Sequence, residues 1–323
     1  MDAPHANKAA SVAPELEADV GDEVGAQQDG GAAGQCRRHL AVNDTLYARL
    51  RTLTLLGVHT ASRRMAVGSS RSPHVGHAYP LSEHTVVKTG GDVRLDEAAT
   101  MRFVAERTSI PVPKVLHAFV HNGASFIVME KIRGKELAKI WHQLSDDTRA
   151  SLLGQLRQML EELRALPPPT GFAVGSCVGG SLQDFRQRQA PPPVQFGPFK
   201  TIQGFHRWLR DDLELGQANS MDQVDRDDLD AMITRQDGSW PQPVFTHGDL
   251  NPSNILVRDE RIVGIIDWEM SGWYPHYWEY TSLRLASYIV NPAWDESIEK
   301  FLHPFPDELK MERTRFRWWG NIA

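Results

Sequence analysis

Residues 245–269 place several polar side chains around two apolar runs, in an order that can do chemistry. The stretch reads Phe245-Thr246-His247-Gly248-Asp249-Leu250-Asn251-Pro252-Ser253-Asn254-Ile255-Leu256-Val257, then Arg258-Asp259-Glu260-Arg261, then Ile262-Val263-Gly264-Ile265-Ile266-Asp267-Trp268-Glu269. The runs 255–257 and 262–266 read as two short strands joined by a polar turn, and a hairpin brings their outer ends together. Asn254 precedes the first strand and Asp267 follows the second, so the two side chains are neighbours in space. Both offer the oxygen ligands that a hard cation such as Mg²⁺ takes alongside phosphate oxygens. Asp249 lies on the loop that feeds the hairpin, five positions before Asn254. A carboxylate there could accept the proton of an attacking hydroxyl while a metal neutralises phosphate charge. Phosphoryl transfer asks a protein mainly for positioning and electrostatics, and this layout can supply both.

The segment 247–256 resembles the catalytic loop of the aminoglycoside-phosphotransferase family, to which choline-kinase-like proteins are similar and which shares the protein-kinase fold. Ile265-Ile266-Asp267-Trp268-Glu269 resembles its metal-binding segment. The resemblance covers roughly residues 60–290 and implies Asp249 as base, Asn254 and Asp267 as metal ligands, His247 as a loop-orienting residue, and ATP with Mg²⁺ as cofactors. Protein kinases usually carry an arginine after this histidine, where Gly248 stands here. That difference, the Asp-Trp-Glu at 267–269 and the lack of an Ala-Pro-Glu segment after Asp267 point to small-molecule hydroxyl acceptors rather than protein substrates.

The N-terminal half adds a second set of residues. Lys88 ends a predicted strand at 85–88, which Gly90-Gly91 stops, and Glu97 opens a predicted helix at 95–107. Kinases pair such a lysine with a helix glutamate to hold the α- and β-phosphates; Asp96 is a rival for the acid. The run from Glu97 to Pro113 resembles fungal members of the phosphotransferase family. Phe126 to Lys131 resembles the last strand and hinge, which puts Met129, Glu130 and Lys131 beside adenine. A phosphate-cradling loop is expected before Lys88, but only Val67-Gly68-Ser69-Ser70 and Val75-Gly76-His77 offer glycine there. This gap sustains an alternative, a catalytically silent kinase-like binding protein. After Asp267, aromatic residues alternate with acids, and Glu269, Trp273 and Trp278 are candidates for the acceptor wall through ion pairing and cation–π contacts.

Positioning these groups requires a strand-rich lobe and a helical lobe. Asn43 or Asp44 can cap a helix carrying Leu46, Leu50 and Leu53. Strands at 115–120 and 125–130 flank the turn His121-Asn122-Gly123. A long amphipathic helix from Asp146 or Asp147 carries Leu152, Leu156, Met159, Leu160 and Leu163, and Pro167-Pro168-Pro169 ends it. A Gly/Pro-rich loop at 170–198 precedes helices at 201–214 and 223–235. Apart from the hairpin, strands lie before residue 130 and helices after it. The fold class is therefore α+β: a bilobal, protein-kinase-like fold with an N-lobe at 41–130 and a helical C-lobe at 131–323.

Residues 1–35 hold seven acids, one lysine and few large apolar side chains, so a disordered acidic tail is expected up to about residue 40. Residues 1–35 alone carry the whole net charge of −6, which leaves a neutral body with no basic stripe and argues against nucleic acid. Arg313, Arg315 and Arg317 beside Trp318 and Trp319 read as a solvated helix end. No apolar run approaches the roughly 20 residues needed to cross a bilayer. Two cysteines are too few for a disulfide framework, so a reducing, cytoplasmic location is expected.

Overall fold

The computed structural model describes residues 40–66, 78–187, 195–217, 222–290 and 292–320. The expected acidic tail and both candidate glycine turns, at 67–70 and 75–77, lie outside the described residues.

The N-lobe sheet has four antiparallel strands in the order β1-β2-β4-β3. They are β1 (Ala78–Pro80), β2 (Thr85–Gly90), β3 (Val115–His121) and β4 (Ala124–Glu130). Asn122 and Gly123 join β3 to β4 with φ of 48° and 78°, the left-handed pair a two-residue hairpin needs. Helix α1 (Leu46–Ala66) packs Leu53 and Leu56 against Val87, Phe119, Phe126 and Val128 of this sheet. Its cap is Thr45, whose Oγ1 accepts from Ala48 N at 3.1 Å, rather than Asn43 or Asp44. Leu46 and Leu50 are exposed, contrary to the stripe read from sequence, because Ala48 and Thr52 take the buried face. Helix α2 (Leu95–Arg107) crosses the lobe with Leu95, Ala98, Met101 and Val104 buried in the main core.

The C-lobe is built on α3 (Asp146–Arg164), whose Leu152, Leu153, Leu156, Leu160 and Leu163 enter that same core. The helix starts at Asp146, as expected, and Ser145 caps it, accepting from Thr148 N. Strands β7 (Ile255–Arg258) and β8 (Arg261–Ile265) form the hairpin, with β5 (Lys135–Glu136) beside β7. Between them, β6 (Val244–Thr246) leads into the polar loop and pairs with β9 (Gly272–Tyr274). The hairpin turn, Asp259-Glu260, is left-handed at both residues, and α3 clamps it. Gln155 of α3 donates to Glu260 O at 3.1 Å and accepts from Ile262 N at 3.0 Å.

Helices α4 (Ile202–Leu209), α5 (Gln223–Asp237), α6 (Trp278–Val290) and α7 (Pro306–Trp319) complete the lobe. Helix α4 stops five residues before its expected end. Asp211 and Asp212 are left-handed there, and Arg210 is drawn aside to Leu213 O, Gln236 Oε1 and Asp237 Oδ1. The basic cluster of α7 is solvated only in part, with Arg313 and Arg317 exposed as expected. Arg315 is buried, 2.7 Å from Glu312 and 3.2 Å from Gln187 Oε1, and Arg317 pairs with Asp225. No helix among the described residues is long and apolar enough to cross a membrane.

Candidate functional site

The hairpin carries Asn254 and Asp267 to adjacent ends, as Ile255 pairs with Ile265 and Ile266 N donates to Asn254 O at 3.0 Å. Asp267 adopts φ 67°, ψ 61°, left-handed backbone that Asp tolerates better than most residues. The Asn254 amide donates to Asp249 O at 2.8 Å and to Asp249 Oδ2 at 3.1 Å. This turns its Nδ2 toward Asp249 and leaves Oδ1 to serve as a ligand. Asn251 Nδ2 reaches the same Asp249 Oδ2 at 3.1 Å, so two amides orient the carboxylate.

The loop that presents Asp249 is fixed from beneath. Asp249 N donates to His247 Nδ1 at 3.2 Å, which makes that nitrogen the acceptor. Nε2 then carries the proton and donates to Ile266 O at 3.1 Å, tying the Asp249 loop to the residue before Asp267. The ring is buried against Trp268, with centroids 4.6 Å apart. Gly248 sits at φ 86°, and a Cβ there would lie 2.6 Å from Met270 O, so only glycine fits this turn. Glu279, from the first turn of α6, accepts from His247 N at 2.6 Å and Gly248 N at 3.1 Å. Burial pushes its carboxyl up, while His247 and the two amides pull it back. Ser271 Oγ donates to His247 O at 2.9 Å. Glu279 was visible only as one acid in an aromatic run; no sequence signal marked it as the anchor of the loop.

Lys88 reaches across from the N-lobe. Its Nζ lies 3.0 Å from Glu97 Oε2, 2.7 Å from Asp267 Oδ1 and 2.8 Å from Glu269 Oε2. Glu97 is the helix acid in contact with it, because Asp96 is turned to Arg94, 3.1 Å away. Burial drives the Glu97 carboxyl up to about 7, against the pull of Lys88. Glu269 is also raised, by burial first. Lys88 is itself raised: burial alone would lower it, but the surrounding carboxylates prevail. One ammonium thus faces three carboxyl groups, two of which burial pushes toward their neutral forms. Among the described residues no three His, Cys, Asp or Glu side chains are placed to hold a metal by themselves, but Asn254 and Asp267 at adjacent hairpin ends offer the one or two oxygen ligands that Mg²⁺ takes alongside phosphate oxygens.

Several sequence expectations change here. Trp273 is a core residue, edge-on to Phe245 at 5.2 Å and to Phe103 at 6.4 Å. Trp278 is buried and stacks on Tyr274 at 5.3 Å. Neither presents a face to an acceptor, and Glu269 faces Lys88 instead. The run is aromatic because its side chains fill the hydrophobic core of the C-lobe. Met129 is buried in the main core. The amides of Glu130 and Lys131 are already donated, to Lys114 O at 2.9 Å and His84 O at 2.8 Å. Adenine at this hinge would therefore have to use groups other than these two amides. Trp273→Ala is expected to cost about 3–5 kcal/mol of stability, read from the urea midpoint. Nucleotide affinity of the folded fraction should be unchanged.

Comparison with known proteins agrees with this geometry. The profile of the phosphotransferase enzyme family (APH) matches residues 92–312. No curated protein matches the sequence. Among solved structures, aminoglycoside phosphotransferase APH(4)-Ia superposes with a TM-score of 0.53 at 15% identity, over 81% of this chain and 88% of that one. A thermostable mutant of APH(4)-Ia, in ternary complex with ADP and hygromycin B, gives 0.51 at 14% identity, over 79% and 87%. At such identities the likeness is one of fold.

Proposed function

Because the chain belongs to the phosphotransferase enzyme family, we propose that it moves the γ-phosphate of ATP to a hydroxyl of a small molecule, with Asp249 as general base. The observation that carries this reading is the meeting of Lys88, Glu97 and Asp267 across the lobes, beside an Asp249 held by Asn251 and Asn254. A fold neighbour in complex with ADP and hygromycin B supports a nucleotide and a small-molecule acceptor as the two substrates.

In the proposed reaction the acceptor hydroxyl gives its proton to an Asp249 carboxylate oxygen as its own oxygen bonds to the γ-phosphorus. The bond from that phosphorus to the bridging oxygen breaks, and ADP leaves with the electron pair. Asp249 later releases the proton to water. Asn254 Oδ1 and Asp267 would hold Mg²⁺, which supplies neutralisation of phosphate charge when bound. Lys88 would hold the α- and β-phosphates, with Glu97 keeping its long side chain in one place.

The test of the reading is a melting curve of the full chain with and without Mg-ATP, since a ligand that binds only the folded state raises its stability. A rise in Tm that requires both Mg²⁺ and nucleotide is expected. No shift at saturating nucleotide would refute a nucleotide site, whereas a shift without turnover on any acceptor would favour the silent binding protein.

The Lys88–Glu97 pair gives a further expected result. Lys88→Met and Glu97→Gln should each weaken use of Mg-ATP by roughly 10- to 100-fold, in line with the ~1.5–3 kcal/mol of a hydrogen bond to a charged group. The double variant should be little worse than either single one, because both act through one ammonium. Fully additive effects in kcat/KM for ATP would separate the two roles.

A further inference from the structure

Gly248 leaves the Asp249 loop without the arginine that protein kinases carry at that position, yet a guanidinium meets the loop. It belongs to Arg186, in the irregular segment between α3 and α4. Arg186 Nη2 donates to Gly248 O at 2.7 Å and lies 3.7 Å from Met270 Sδ. Asp184, fully buried, holds it as a fork: Oδ1 accepts from Arg186 Nε at 2.8 Å and Oδ2 from Nη2 at 2.7 Å. The Arg186 backbone N also donates to Asp184 Oδ1, at 2.9 Å. Burial would raise the Asp184 carboxyl, but Arg186 more than offsets it, so Asp184 stays an anion. The segment is anchored on both sides. Leu182 and Gln183 pair with Phe196 and Gln195, and Gln187 bridges to Gly320 and accepts from Arg315.

The target of this guanidinium is specific. Gly248 O and Asp249 N belong to the one peptide unit that leads into Asp249. Its N–H is held by His247 Nδ1 and its carbonyl by Arg186. The preceding unit is held at His247 O by Ser271 and at Gly248 N by Glu279. Glycine has more backbone freedom than any other residue, so a loop turning at Gly248 needs such outside restraint. We propose that Arg186, anchored by Asp184, is the positioning residue for Asp249, supplying from position 186 the guanidinium that position 248 lacks. This rests on Asp249 being the base, and it adds to the working site a residue 62 positions before Gly248.

The test uses the full chain with Arg186→Met, Arg186→Lys and Asp184→Asn. Two readouts are taken: steady-state ATP consumption, with water or a hydroxyl compound as acceptor, and amide hydrogen exchange of the 246–254 segment with and without Mg-ADP. Arg186→Met should lower kcat by roughly 10- to 100-fold, since a misplacement of ~1 Å can cost ~10²-fold. KM for ATP should stay within about twofold, because Arg186 touches neither Lys88 nor Asp267. Exchange should accelerate at 246–254 and not around Lys88. Arg186→Lys should recover part of the loss, keeping the charge but not the fork. Wild-type kcat and unchanged exchange in Arg186→Met would overturn the proposal. So would a loss spread equally over kcat, KM and the exchange of α4 and α5, which would mark Arg186 as a packing residue only. If the wild-type chain binds no Mg-ADP and consumes no ATP, the phosphotransferase reading fails, and the exchange comparison still decides whether Arg186 fixes the loop.

Discussion

Asp249→Asn is expected to bind Mg-ATP as the wild-type chain does and to lose ~10²–10⁴-fold in transfer rate, the usual worth of a general base. The substitution keeps the size of the side chain. Asn251 and Asn254 both donate to Asp249 Oδ2, and an amide oxygen at that position accepts the same bonds. The main-chain contacts to His247, Arg186 and Glu279 do not involve the carboxylate at all. The loop should therefore hold its shape while the proton acceptor is gone. Calorimetry with Mg-ADP and steady-state rates on the same preparation check the two halves. A variant that transfers phosphate at the wild-type rate would remove Asp249 from the reaction.

The second large effect is expected at Asp267. Asp267→Asn should weaken Mg²⁺-dependent nucleotide binding by more than ~10²-fold, beyond the 10–100-fold typical when a group merely supporting a metal ligand is lost. An anion is replaced by a dipole, and a hard divalent cation binds a dipole less well than a charge. Asn is the better probe than Ala, because residue 267 is left-handed and Asn tolerates that backbone where Ala is strained. Asp267→Ala should show the same loss together with a lower Tm. Asn254→Ala should be milder in binding, since it removes only a carbonyl dipole. Unchanged affinity in Asp267→Asn, measured by calorimetry, would place the metal on other residues.

The parts of this site that could be read from sequence are those in which local pattern and chemistry coincide. The hairpin around 255–265 was legible because two apolar runs flank a polar turn, and its ends necessarily carry Asn254 and Asp267 together. Helix α2 was legible because its apolar positions repeat at helical spacing, with acids in the first turn and prolines after the end. What stayed hidden depends on packing between distant segments. An aromatic run has the same composition whether it lines a ligand or fills a core, and Trp273 and Trp278 turned out to fill the core. The stripe of α1 was misassigned because Leu46 and Leu50 share helical spacing with Leu53, although the sheet below it meets the neighbouring face. The roles of Glu279 and Arg186 rest on contacts with main-chain groups at 247 and 248. Such contacts leave no spacing pattern, because the partner is a peptide group that every residue has.

Transfer of label from γ-³²P-ATP to a panel of small hydroxyl compounds tests the central claim most directly, with Asp249→Asn run in parallel. The expected result is at least one acceptor that becomes labelled, with ADP formed in equal amount, dependence on Mg²⁺, and little label in the variant. Labelling that persists at the wild-type rate in Asp249→Asn would contradict the account, as would a wild-type chain that neither binds Mg-ATP nor labels any acceptor.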